Sequence, residues 1–145
     1  MTAHGAVLGI DPGRSKAGYA LVDASGLAIK MGIEPIERLQ ARLRELLLVH
    51  PVVAIALGRG TNGRRIREVL IELGPPVHWV DEYETTRAAR TLFFAEHPPR
   101  GWRRLVPIGL QMPGRPIDDY AAILIARRFL ARGVDPRPPS KESPA

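Results

Sequence analysis

The stretch AVLGIDPGRSKAGYALVD, Ala6 to Asp23, decides how this chain is read. Ala6–Asp11 is a continuous apolar run of the kind expected for a strand buried on both faces, yet it ends on a carboxylate. Asp-Pro-Gly then turns the chain, because Pro fixes φ and Gly permits positive φ. Gly18–Val22 reads as a second strand, and DASG turns tightly into a third, Leu27–Met31. A charge buried alone is costly. Asp11 is therefore either an ordinary residue of a Pro-Gly turn or a ligand that needs a cation.

Working outward, Ile36–His50 carries Ile36, Leu39, Leu43, Leu46 and Leu47 at helical spacing, and Pro51 stops it. VVAIALG, Val52–Gly58, gives a fourth buried strand. TNGRRIREVLIELG is a second helix closed by Gly74 and Pro75–Pro76. VHWVDE, Val77–Glu82, is a fifth strand. ETTRAARTLFFAEH is a third helix with Thr85 or Thr86 near its start as a cap. Residues 97–116 are rich in Pro, Gly and Arg and read as a long loop, and IDDYAAILIARRFLARG forms a last helix.

The order β-β-β-α-β-α-β-α-α predicts an α/β fold. Three strands joined by tight turns form a meander, and right-handed crossovers lay the last two parallel to the first. The expected result is a five-stranded mixed sheet in the order 3-2-1-4-5 with helices on both faces. One domain is expected over residues 1–134, and the Pro-rich tail, 135–145, is expected to be disordered.

The chain has 145 residues and a net charge of +6, carried by 18 Arg and 3 Lys. Arginine offers a planar fork that suits phosphate oxygens, so either a basic surface or a polyanion partner accounts for this balance. Basic residues cluster at Arg64–Arg65–Arg67, Arg100–Arg103–Arg104 and Arg127–Arg128–Arg132. The absence of cysteine excludes disulfides, thiolate metal sites and thiol nucleophiles, and fits a reducing cytoplasm. Met1–Gly5 does not read as a secretory leader, and no apolar run is long enough to span a membrane. A cytoplasmic location is expected.

Three acids are candidates for one site. Asp11 ends the first strand, Glu82 ends the fifth and Asp118 opens the last helix. Ligands in sheets of this type bind at the carboxyl ends of the parallel strands, where Asp11 and Glu82 emerge together. Asp118 joins them if the small pair Ala121–Ala122 lets its helix approach the sheet closely. Three carboxylates at one point repel each other unless a cation is present, and hard ions such as Mg²⁺ or Mn²⁺ prefer oxygen ligands. Ions of this class support phosphodiester hydrolysis. Each acid also has a simpler role, as turn residue or helix cap, and Asp81 competes with Glu82 because strand side chains alternate.

These residues resemble the YqgF/RuvX family, Holliday-junction-resolvase-like proteins of the ribonuclease H superfamily. Its first motif matches LGIDPGRSKAGYA, its middle motif DEYETTRAA (Asp81–Ala89), and its closing motif DDYAA (Asp118–Ala122). The resemblance spans roughly residues 6–131. It implies a ribonuclease H-like fold and a nuclease dependent on Mg²⁺ or Mn²⁺, with Asp11, Glu82 and Asp118 as catalytic and metal-binding residues. Lys16 matches the family's basic position and Thr86 the second threonine of its middle motif. The family is associated with 5′-end maturation of pre-16S rRNA, so RNA is the favoured substrate.

The chain departs from the family at Tyr83, where arginine is usual, and at ALGRGTNG, where the fourth strand normally ends in Gly-x-Pro. Related resolvases carry an acid there; Gly58–Arg59 supplies none. Asp81 or Asp119 is the candidate addition to a three-acid set, and whether one or two ions bind stays open.

Positive charge should flank such a site. Arg14 and Lys16 are expected to contact phosphates beside the cleaved bond, and Arg59 and Arg64 to line the same edge. Arg103, beside Trp102, is a further candidate for the nucleic-acid surface. Three other functions remain open: a Holliday junction resolvase acting on DNA as a dimer, a nucleic-acid-binding module without turnover, and a sugar-kinase or actin-like ATPase. The last needs a pair of such domains, and this chain has room for one. A nuclease working alone on RNA requires no partner subunit, so monomer and homodimer are both admitted.

Overall fold

The first strand, β1 (Ala6–Pro12), is the axis of a computed structural model that describes residues 5–60, 62–81, 85–98, 105 and 116–132. β1 pairs antiparallel with β2 (Lys16–Val22), which pairs antiparallel with β3 (Ala28–Pro35). On its other side β1 runs parallel to β4 (Val52–Gly58), and β4 parallel to β5 (Val77–Val80). The sheet order is β3-β2-β1-β4-β5, as expected. Among the described residues four helices complete the fold: α1 (Ile36–Val49), α2 (Gly63–Ile71), α3 (Thr85–Glu96) and α4 (Asp118–Arg132).

Alternation along β1 explains its unbroken apolar run. Ala6, Leu8 and Ile10 face α1 and α2 in a core completed by Tyr19, Leu21, Ile55, Leu57, Leu39, Leu43, Ile66 and Leu70. Val7 faces the other way, with Ala20, Val22, Ala54, Ala56 and Val80, against Phe93, Ala122, Ile125, Ala126 and Phe129 of α3 and α4. The helices thus cover both faces. The two faces differ in bulk: large aliphatics meet the amphipathic α1 and α2, while small residues meet α4.

That smoothness brings α4 close. A Cβ at Gly9 would run into the Ala122 carbonyl, and one at Gly18 into the backbone of Asp118. Ala122 and Ala126 supply small residues from the helix side. A glycine on each of two paired strands and two helix alanines one turn apart lay the start of α4 flat on β1 and β2.

Several boundaries differ from expectation, among them those of β2, which starts at Lys16, and α2, which ends at Ile71. β3 continues to Pro35, four residues beyond Met31, because β2 begins at Lys16 and keeps pairing, Lys16 opposite Pro35. β5 ends at Val80, two residues short of Glu82. The expected tail and most of the 97–116 loop lie outside the described residues.

Candidate active site

Because β1, β4 and β5 are parallel, their carboxyl ends share one edge: Ile10 lies level with Leu57, and Gly58 with Val80. Asp11 follows Ile10 at this edge and pairs across the ladder with Gly18. It lies two residues beyond Gly9, so its half-buried side chain falls on the α4 face. Gly18 is the residue against which the Asp118 backbone rests. Lys16, two residues before Gly18, shares this face and is the diagonal cross-strand neighbour of Asp11. The backbone at Asp118, where α4 starts, therefore lies beside the Asp11–Gly18 pair, with Lys16 on the same sheet face.

Asp119 is the sole charged residue fully buried among the described residues, at 5% exposure. Its Oδ1 accepts the Tyr120 amide at 3.0 Å. Asp118 beside it is half-buried. Asp81 is exposed at the end of β5, and Arg128 of α4 donates to its carbonyl oxygen. Glu82 and Arg103 lie outside the described residues, as does Trp102. Thr86 stands in the first turn of α3, with its side chain outside the description. Among the described residues no group of three His, Cys, Asp or Glu is arranged to hold a metal ion.

The basic residues separate into two sets. Arg14 is exposed in the loop joining β1 to β2, between Asp11 and Lys16. Arg59 leaves β4 toward the α2 side, its guanidinium 5.6 Å from the centre of the Trp79 ring. Arg64, exposed in the first turn of α2, approaches the edge from that same side. Arg127 and Arg128, which composition groups with a polyanion surface, hold α4 in place instead. Arg127 Nε donates to the Gly26 carbonyl at 2.8 Å, and Arg128 to that of Asp81. His78 packs on Phe129 and His97 on Phe93, so neither is directed at the acids.

One residue at this edge escapes sequence reasoning. Asn62 caps α2 with φ 67°, and its Nδ2 donates to the carbonyls of Gly13 at 3.4 Å and Arg14 at 3.0 Å. The Asn-Gly pair signals a turn, but nothing local says that its amide reaches a loop 48 residues away.

No family model matches this chain, and no curated protein does. Among solved structures it is similar to RuvC of Thermus thermophilus, with TM-score 0.52, 20% identity, and 88% of this chain and 96% of that one covered. It is similar also to T. thermophilus RuvC in complex with a Holliday junction substrate, with TM-score 0.57, 22% identity and coverage of 89% and 96%. At these identities the likeness is one of fold. The fold is ribonuclease H-like.

Proposed function

We propose that this chain is a divalent-metal-dependent nuclease acting on structured nucleic acid, RNA first, as its resemblance to the YqgF/RuvX family implies. The observation that supports the proposal is the seat of the Asp118 backbone on Gly18, the ladder partner of Asp11, which favours a shared site for two acids 107 residues apart. Both offer hard oxygen donors, the chemistry that Mg²⁺ and Mn²⁺ require. Glu82 is the third expected ligand. It lies outside the described residues, and Asp81 is the competing acid at this end of β5.

In this scheme Asp11, Glu82 and Asp118 would hold the metal, and their carboxylates would orient the attacking water. When bound, ions of this class lower the pKa of water and neutralise charge on the leaving oxygen. Lys16 and Arg14 bind the phosphate oxygens beside the cleaved bond and offset repulsion between substrate and carboxylates. Arg64 extends the contact along the strand from the α2 side.

A second scheme is favoured by a separate observation, the likeness to RuvC in complex with a Holliday junction substrate. It predicts symmetric cuts in a four-way DNA junction by a dimer. One experiment distinguishes these schemes from a binder without turnover. Labelled precursor rRNA, linear single strands and four-way junctions are incubated with the protein, with and without Mn²⁺ or Mg²⁺. Metal-dependent shortening of the rRNA, lost in Asp11→Asn, is the expected result. Cleavage of junctions alone selects the resolvase, and binding without product selects the module. Wild-type cleavage by Asp11→Asn removes the site assignment.

A further inference from the structure

We infer that Asn62 is a positioning residue that fixes the Arg14 loop over the acidic edge and so sets how a phosphate is held there. The inference rests on the nucleic-acid reading above.

The loop at Gly13–Ser15 is gripped from two sides. The Asn62 amide donates to both the Gly13 and Arg14 carbonyls, and the Ser15 carbonyl accepts the Ile36 amide of α1 at 3.1 Å. Between these grips stands Arg14, exposed, three residues past Asp11 and two before Lys16. A long cationic side chain on a mobile loop loses backbone as well as side-chain freedom on meeting a phosphate. On a pinned loop only the side chain is left to order, which favours binding in one register.

Asn62 serves this purpose at a local cost. It is the one described non-glycine residue with positive φ, a conformation asparagine tolerates better than most. Its side chain makes no capping bond to α2, although asparagine is a favoured helix cap. The amide is spent instead on the distant loop. A residue retained only to start α2 would direct its oxygen into the helix; here the donor end of the side chain is directed at Arg14.

Glycine adopts this backbone conformation freely, so Asn62→Gly removes the grip without straining α2. Three quantities are measured: thermal midpoint, backbone order parameters of Gly13–Ser15, and the salt dependence of binding to a labelled RNA hairpin with EDTA present. Asn62→Gly is expected to keep its thermal midpoint while the loop order parameters fall. The slope of log affinity against log salt is expected to flatten by about 0.7 to 0.9, one phosphate contact, as in Arg14→Ala. In the double variant Arg14→Ala/Asn62→Gly no further flattening is expected, because both changes remove the same contact.

An unchanged slope in Asn62→Gly, or additive losses in the double variant, overturns the inference while leaving the nucleic-acid reading intact. A parent chain with no salt-dependent affinity for the hairpin overturns both. A fall in thermal midpoint with unchanged order parameters assigns Asn62 to α2 alone and overturns the positioning role.

Discussion

Two aspartates stand at the ends of neighbouring strands of the same hairpin, Asp11 as the penultimate residue of β1 and Asp23 directly after β2, and each is followed by a glycine-containing turn with an arginine close by. In sequence they are near equivalents. In the fold they sit at opposite edges of the sheet and are used differently. Asp23 is consumed by its own turn: one carboxylate oxygen accepts the Ser25 amide at 2.9 Å, the Ser25 hydroxyl at 2.6 Å and the Leu27 amide at 3.0 Å. Its arginine, Arg127, is engaged on the Gly26 carbonyl. Asp11 instead remains within the ladder, facing the start of α4, with Lys16 diagonal to it and Asp118 across Gly18. The proposed role of Asp11 thus depends on the edge it occupies, because only that edge collects the carboxyl ends of parallel strands and the first turn of a helix.

The widest separation between the two edges is expected in cleavage. If the proposed site holds, Asp11→Asn should lower metal-dependent turnover by at least about a hundredfold, since it removes the negative charge and one oxygen from a proposed ligand. Asp23→Asn should leave turnover within a factor of about two. Comparable losses in both variants, measured as initial rates in Mn²⁺ on the same substrate, would abolish the distinction.

Next in size is the packing that joins Asp118 to Asp11. Gly18→Val introduces branched carbon where the Asp118 backbone already sits. A loss of about 1 to 3 kcal/mol in urea unfolding is expected, as for other overpacked sites, together with reduced turnover in the folded fraction. Gly26→Ala, at φ 94° but with its Cβ meeting only the Arg127 side chain at an ordinary contact distance of 3.9 Å, is the matching change at the other edge. It should cost about 1 to 2 kcal/mol from backbone strain and spare turnover. Full activity in folded Gly18→Val would show that the seat of α4 does not set the acids.

The contrast between the glycines also shows what was legible beforehand. The strands, their order and the helix side of the α4 contact were readable, because alternation and Ala121–Ala122 are local patterns. The sheet side was not. An isolated glycine in a strand signals a weakness or a close approach without naming the partner, and Gly18 meets a residue 100 positions away. β3 was read short for a similar reason: its last four residues are held by pairing with β2, not by their own apolar pattern. Composition counted Arg127 and Arg128 as surface charge, since charge carries no record of the carbonyl that each donates to. Asp11, Asp118 and Lys16 emerged as candidates because each stands at an element boundary, whereas Asn62 acts at long range and left no such sign.

A smaller pair of effects tests the arginines. Arg127→Ala should lower stability by about 1 kcal/mol through its lost half-buried hydrogen bond, with no change in the salt dependence of RNA binding. Arg14→Ala should do the reverse, sparing the thermal midpoint and flattening the salt slope by about 0.7 to 0.9. Both variants are read by urea unfolding and by a salt titration of hairpin affinity. Equal behaviour of the two would erase the division between structural and substrate-facing arginines.

The smallest effect belongs to Asp23 itself. Its carboxyl is held below the ordinary carboxylate range, first by the Ser25 hydroxyl and then by the Leu27 amide. A depressed value in the folded chain means that ionisation stabilises the fold. This contribution is complete above the unfolded value, near pH 4, and fades as pH falls through the folded one. Asp23→Ala should therefore lower the thermal midpoint slightly at pH 6, and the gap from the parent should close as the pH falls through the depressed folded-state value. A gap that persists undiminished in acid would mean that the turn is held by its backbone geometry and not by the ionised carboxylate. Asp23 would then no longer count as a charge satisfied locally, and the contrast with Asp11 would rest on the position of the two edges alone.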